Sequence, residues 1–93
     1  MTIKLRKWDS AEHLKTEQDM QDYLQACVEE SNNDAAFIAK ALGNIARAKG
    51  MAQLSKDTGL GRESLYKALS GDVIPSFDTV IKVVKALDVR LAI

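Results

Sequence analysis

Residues 62–70 read Arg-Glu-Ser-Leu-Tyr-Lys-Ala-Leu-Ser, and six of these side chains can make hydrogen bonds. Leu65 and Leu69 stand at i, i+4 and mark the buried seam of a short helix. The outer face then carries Arg62, Glu63, Ser64, Tyr66, Lys67 and Ser70, a set suited to the DNA major groove. Arg62, in the first turn, can reach a guanine edge in bidentate fashion or a phosphate. Ser64 and Lys67 are candidates for further base or phosphate contact. Tyr66 can offer its hydroxyl to a phosphate or lay its ring over the helix pair. Glu63 can accept from a cytosine amino group or simply favour the helix N-terminus. Gln53 begins a preceding helix, whose N-terminal N–H groups attract phosphate.

The elements that must position these residues read as a helix-turn-helix. A helix over Met51–Thr58 meets a Gly59-Leu60-Gly61 corner, and a second helix runs over Arg62–Ser70. Gly59 supplies the left-handed backbone of a sharp turn without a Cβ penalty. Leu60 points inward, while Leu54 and small Ser55 face the partner helix. Such units also occur in all-α domains that never touch DNA. Small Ser55 four residues before Gly59, Leu65 six residues after it and the local basic charge favour the DNA reading.

Charge is split along the chain. Residues 1–34 hold four Lys/Arg and eight Asp/Glu, a net of −4, whereas residues 35–93 hold nine and five, a net of +4. The basic part contains the helix-turn-helix, as phosphate contact requires. The split suggests two partners, or one partner and one self-contact; an acidic surface also serves solubility alone. Ninety-three residues make one domain. We divide it into an acidic N-terminal part (1–33) and a helix-turn-helix core with a C-terminal strand (34–93). Aromatics are 5% of the chain, so aliphatic residues must form the core.

Alternation in Thr2–Lys7 and again at Val89, Leu91 and Ile93 predicts short terminal strands. Asp9 and Glu12 open a short helix to Leu14. Thr16 and Asp19 repeat the capping signature and start a longer helix with an apolar stripe of Met20, Tyr23, Leu24, Cys27 and Val28. A third helix, from about Asp34 to Lys49, buries Phe37, Ile38, Ala41, Leu42 and Ile45, with Gly43 set for close packing. A loop over 71–75 precedes Ser76, which caps a last helix, Phe77–Leu87. That helix is expected to pack through Phe77, Val80, Ile81, Val84 and Leu87. The fold class is all-α, about five to six helices with short terminal β-strands.

Catalysis finds no constellation here. His13 and Cys27 are the single histidine and cysteine; they fall on different helices, and Cys27 reads as a buried thiol. No Cys/His cluster suits zinc, and Gly59-Leu60-Gly61 follows a helix rather than a strand, unlike a phosphate loop. The chain therefore reads as a non-enzyme without metal or cofactor. No apolar run approaches a membrane span. Lys4, Arg6 and Lys7 precede no apolar signal core, and one cysteine fits a reducing cytoplasm.

With these residues laid out, the chain resembles the addiction-module antidote proteins, HigA-like antitoxins of prophage and plasmid type with a lambda-repressor-like domain. The resemblance covers nearly the whole chain. It rests on Trp8–Leu14, on Tyr23-Leu24 followed by Glu29-Glu30, on Ala41–Met51, and most strongly on Thr58–Gly71 and Pro75–Thr79. Two departures are Gly61, where the family commonly has a Ser N-cap, and Ser55, where it commonly has Ala.

The resemblance implies a RelE/HigB-like mRNA-cleaving toxin as partner and repression of the protein's own operon. A basic toxin would meet the acidic N-terminal third, with Glu12, Glu17, Asp19, Asp22, Glu29 and Glu30 as candidate contacts. Operator binding calls for a homodimer on a palindrome with half-sites about 34 Å apart, or a multiple of that. Lys56, Lys82, Lys85 and Arg90 could follow flanking phosphates, or be ordinary solvated charges. Two other readings stay open: a solitary prophage-type transcriptional regulator, and a helix-turn-helix interaction module without DNA binding.

Overall fold

The computed structural model describes residues 14–93, which contain five helices and no strand. In chain order these are α1 (Glu17–Glu30), α2 (Ala35–Lys49), α3 (Met51–Thr58), α4 (Arg62–Ala68) and α5 (Phe77–Leu87). The strand expected at Thr2–Lys7 and the helix expected from Asp9 lie outside the described residues, apart from buried Leu14.

Local chemistry explains where the helices begin. Thr16 Oγ1 accepts from the Asp19 N–H at 3.0 Å, and the Asp19 carboxylate accepts from the Thr16 N–H at 3.2 Å. This reciprocal pair satisfies two donors that a helix start leaves without partners. Asp34 caps α2 through the N–H groups of Ala36 and Phe37, and Ser76 caps α5 through that of Thr79. Between α1 and α2 the chain turns through Asn32 and Asn33, both left-handed at φ 56° and 69°, a region Asn tolerates better than most residues.

Helix α2 is the centre of the packing, touching α1, α3 and α5. Leu42, Ile45 and Ala46 are fully buried, and meet a core that includes Tyr23, Leu24, Leu54, Leu65, Val83 and Leu87. Burial of a leucine of this kind contributes roughly 1.5–3 kcal/mol, so aliphatic packing dominates. Gly43 has a steric reason for its place. A Cβ there would lie 2.5 Å from the Leu69 carbonyl oxygen, so α2 and the end of α4 can approach this closely only without a side chain.

Two expectations about the C-terminal region need correction. Helix α5 buries Val83 and Leu87, while Phe77 stands 76% exposed and Ile81 40% exposed. Its contacts with α2 and α3 engage only one flank of a wide apolar arc. The strand expected through Val89, Leu91 and Ile93 is not seen among the described residues, and a side chain partners the backbone at Arg90 instead. Gln21 Nε2 donates to the Arg90 carbonyl, and the Arg90 N–H donates to Gln21 Oε1, each at 2.8 Å. One amide side chain thus replaces one rung of a ladder, and Val89 is drawn into the core.

Candidate nucleic-acid interface

The turn between α3 and α4 is held by side chains as well as by its glycine. Gly59 is left-handed at φ 76°, and its N–H closes α3 on the Ser55 carbonyl at 2.9 Å. The Ser55 hydroxyl donates to the Leu60 carbonyl at 2.6 Å, and the Leu60 N–H donates to Thr58 Oγ1 at 3.2 Å. Leu60 packs partly buried against the core, as the inward reading requires. Gly61 opens α4 in extended conformation and lends no side-chain cap.

Helix α4 is shorter than the Arg62–Ser70 reading and ends at Ala68. Ser70 is not on its outer face. Its hydroxyl donates to the Lys67 carbonyl at 2.9 Å and accepts from the Asp72 N–H at 3.0 Å, so it closes the helix end and shapes the next turn. Leu65 is fully buried, which fixes the rotation of α4. Arg62, Glu63, Ser64, Tyr66 and Lys67 are left exposed. Arg62 with Tyr66, and Glu63 with Lys67, form neighbouring i, i+4 rows. Among the described residues neither Arg62 nor Lys67 enters an ion pair. Tyr66 is 47% exposed.

Gln53, in the first turn of α3, has a partner on its own helix. Its amide donates to Asp57 at 2.8 Å, and it borders a shallow groove shared with Lys49, Ala86 and Leu87. At the bottom of the same region Lys49 Nζ donates to the Leu87 carbonyl at 2.6 Å, neutralising the negative end of α5.

The acidic candidates divide by local role. Glu12 lies outside the described residues. Asp19 is a cap for α1, with its carboxylate also accepting from the Lys15 N–H at 3.2 Å. Glu17 stands 4.0 Å from Lys49 in a solvated ion pair. Asp22 and Glu29 accept from Gln18 and Gln25 along one exposed ridge of α1, and Glu30 ends that helix in solvent.

Pattern reading missed a buried polar network beside this face. Asn44 Nδ2 donates to the Tyr23 hydroxyl at 2.7 Å, and Arg47 donates to the Asn44 carbonyl oxygen. Asn44 at a buried position in an otherwise apolar helix was the available signal, since a buried amide needs partners. Among the described residues no buried side-chain polar atom lacks one.

Residues 4–93 match the family described as probable addiction module antidote protein. The chain belongs to that family. A Haemophilus influenzae (strain Rd) relative, described as an uncharacterized protein, is 47% identical over 93 residues, spanning 100% of this chain and 94% of its own length. No solved structure matches. Membership in an antidote family implies a toxin partner. Among the described residues of this antidote-family chain, no group of His, Cys, Asp or Glu could hold a metal, and no helix is long and apolar enough to cross a membrane.

Proposed function

We propose that the protein is the DNA-binding antitoxin of a type II toxin-antitoxin module, acting as a homodimer that represses its own operon. The observation that carries this reading is the outer face of α4. Arg62 and Lys67 are exposed cations without ion-pair partners among the described residues, and Ser64 and Tyr66 stand beside them. The hydrogen-bonded turn that holds α4 on α3 supports it further, because base contacts need side chains on a rigid element. Arg62 contacts a guanine edge or phosphate, Lys67 a phosphate, and Ser64 and Tyr66 add hydroxyl contacts. Glu63, at the middle of the face, rejects a phosphate and so favours a base-edge donor such as the cytosine amino group.

The partner is a RelE/HigB-like mRNA-cleaving toxin. Such an enzyme must hold phosphates and is basic, and the ridge of Asp22, Glu29 and Glu30 on α1 offers the complementary charge. Neutralisation and operator binding then use different faces, α1 and α4. A mobility-shift titration against the DNA upstream of the gene, with excess competitor DNA, tests the DNA half. A specific shift is expected; a folded protein giving no specific shift contradicts it.

A further inference from the structure

The large apolar residues of α5 spread over about 160° at about 100° per residue, wider than the stripe one buried face requires. Val83 and Leu87 occupy the buried edge, Val80 and Val84 the middle, and Phe77 and Ile81 the exposed edge. The surface continues beyond the helix. Phe77 and Val80 line an apolar depression with Ile38, Pro75, Leu91 and Ile93, and an adjoining one with Ile81 and Val84. Neither depression is lined by α3 or α4, so covering this face leaves the α4 surface open. Ile74 and Ile93 are 75% and 86% exposed. With Phe77 and Ile81 they present on the order of 500 Å² of apolar surface, near the upper end of what a monomer carries.

We propose that this face binds a second copy of the chain, with the two α5 helices antiparallel across a two-fold axis near Ile81. The charges on α5 select that occupant. Asp78 in the first turn and Lys85 in the last flank the exposed edge on the same side of the helix. In an antiparallel pair each flank meets the same flank of its mate, so Asp78 of one copy faces Lys85 of the other, twice. A parallel pair would put the two flanks on opposite sides of the seam, where neither charge finds a mate. Lys85 is free for this contact among the described residues, while Asp78 is paired only with Lys82, one turn on, at 3.0 Å. Area agrees: the patch buried from both copies gives on the order of 1,000 Å², where specific interfaces begin. The inference rests on the dimeric part of the function proposed above and not on DNA binding.

Sedimentation of the full chain tests it. Wild type is expected to be dimeric, and Ile81→Glu, an exposed position that leaves the helical circular dichroism unchanged, should raise the dimer Kd at least about thirtyfold, as expected for a central contact. Asp78→Lys should weaken the dimer, and Asp78→Lys combined with Lys85→Asp should restore it. Ile81→Cys should form a disulfide-linked dimer on mild oxidation, and Asp57→Cys should not. A wild-type dimer insensitive to Ile81→Glu places the interface elsewhere and leaves the dimeric reading standing. A wild-type monomer overturns both, and protection of Phe77 and Ile81 only when toxin is added assigns the face to the toxin instead.

Discussion

The Ser55 hydroxyl donates to the Leu60 carbonyl at 2.6 Å, so the last turn of α3 is tied to the middle of the corner that leads into α4. A carbonyl at a sharp corner has no helical partner, and the hydroxyl supplies one. Ser55→Ala keeps the small volume but removes that donor. We expect a loss of about 1 kcal/mol by urea denaturation, with faster amide exchange at Leu60. Unchanged stability and exchange would show that water serves the carbonyl equally well.

Gly61 gives the opposite sign. It opens α4 in extended conformation at φ −67° without a side-chain cap, and nothing lies within 4 Å of a Cβ placed there. Gly61→Ser should therefore supply an acceptor for an N-terminal N–H at no steric cost. The expected gain is a few tenths of a kcal/mol, read as a small rise in the denaturation midpoint.

Gly43→Ala should be harmful for a reason that helix propensity conceals. Alanine is normally better than glycine within a helix by about 1 kcal/mol. Here the added Cβ meets the Leu69 carbonyl at 2.5 Å, so α2 and α4 must separate. We expect a net loss of about 1–3 kcal/mol and, because α4 shifts, weaker DNA binding than wild type when both are fully folded.

Much of this arrangement was legible in the sequence, and what was not has physical reasons. The Thr16/Asp19 capping signature, the Ser76 cap, the glycine corner and the close packing at Gly43 depend on neighbours in sequence or on one backbone requirement, and each is found in place. Period alone could not choose which edge of the α5 arc is buried; that choice depends on α2 and α3, and it left Phe77 and Ile81 outside. Alternation at Val89, Leu91 and Ile93 could not reveal that the partner of Arg90 is the Gln21 side chain, distant by 69 positions. For the candidate site, Leu65 fixed the exposed set on α4, whereas Asp19, Gln53 and Ser70 were polar residues already engaged locally. Asp19 reads from the sequence both as a cap and as surface charge, and the geometry gives it the first role.

The Tyr23–Asn44 pair separates a hydrogen bond from its volume. Asn44→Ala removes the donor to a hydroxyl on a residue only 2% exposed, and also the acceptor for Arg47. We expect a loss of about 2–3 kcal/mol, with Tyr23→Phe costing less because Asn44→Ala also takes the acceptor from Arg47. Equal costs in thermal unfolding would contradict the network.

Charge reversal on α1 checks the assignment of the toxin. Asp22→Lys, Glu29→Lys and Glu30→Lys together change solvated positions and should leave folding nearly untouched. Affinity for the cognate toxin should fall at least about tenfold, mainly through slower association at low salt. Unaltered toxin binding would remove α1 as the docking ridge without touching the DNA reading.

The most direct test of the central claim is the salt dependence of operator affinity, measured by fluorescence anisotropy for wild type and for the Arg62→Ala/Lys67→Ala variant. Wild type should bind its upstream DNA specifically, with log affinity falling linearly against log salt. The variant should bind more weakly, by at least about tenfold, and with a shallower slope, by roughly one unit for each phosphate that the two side chains no longer neutralise. A folded variant with the wild-type affinity and slope would contradict the placement of α4 on DNA.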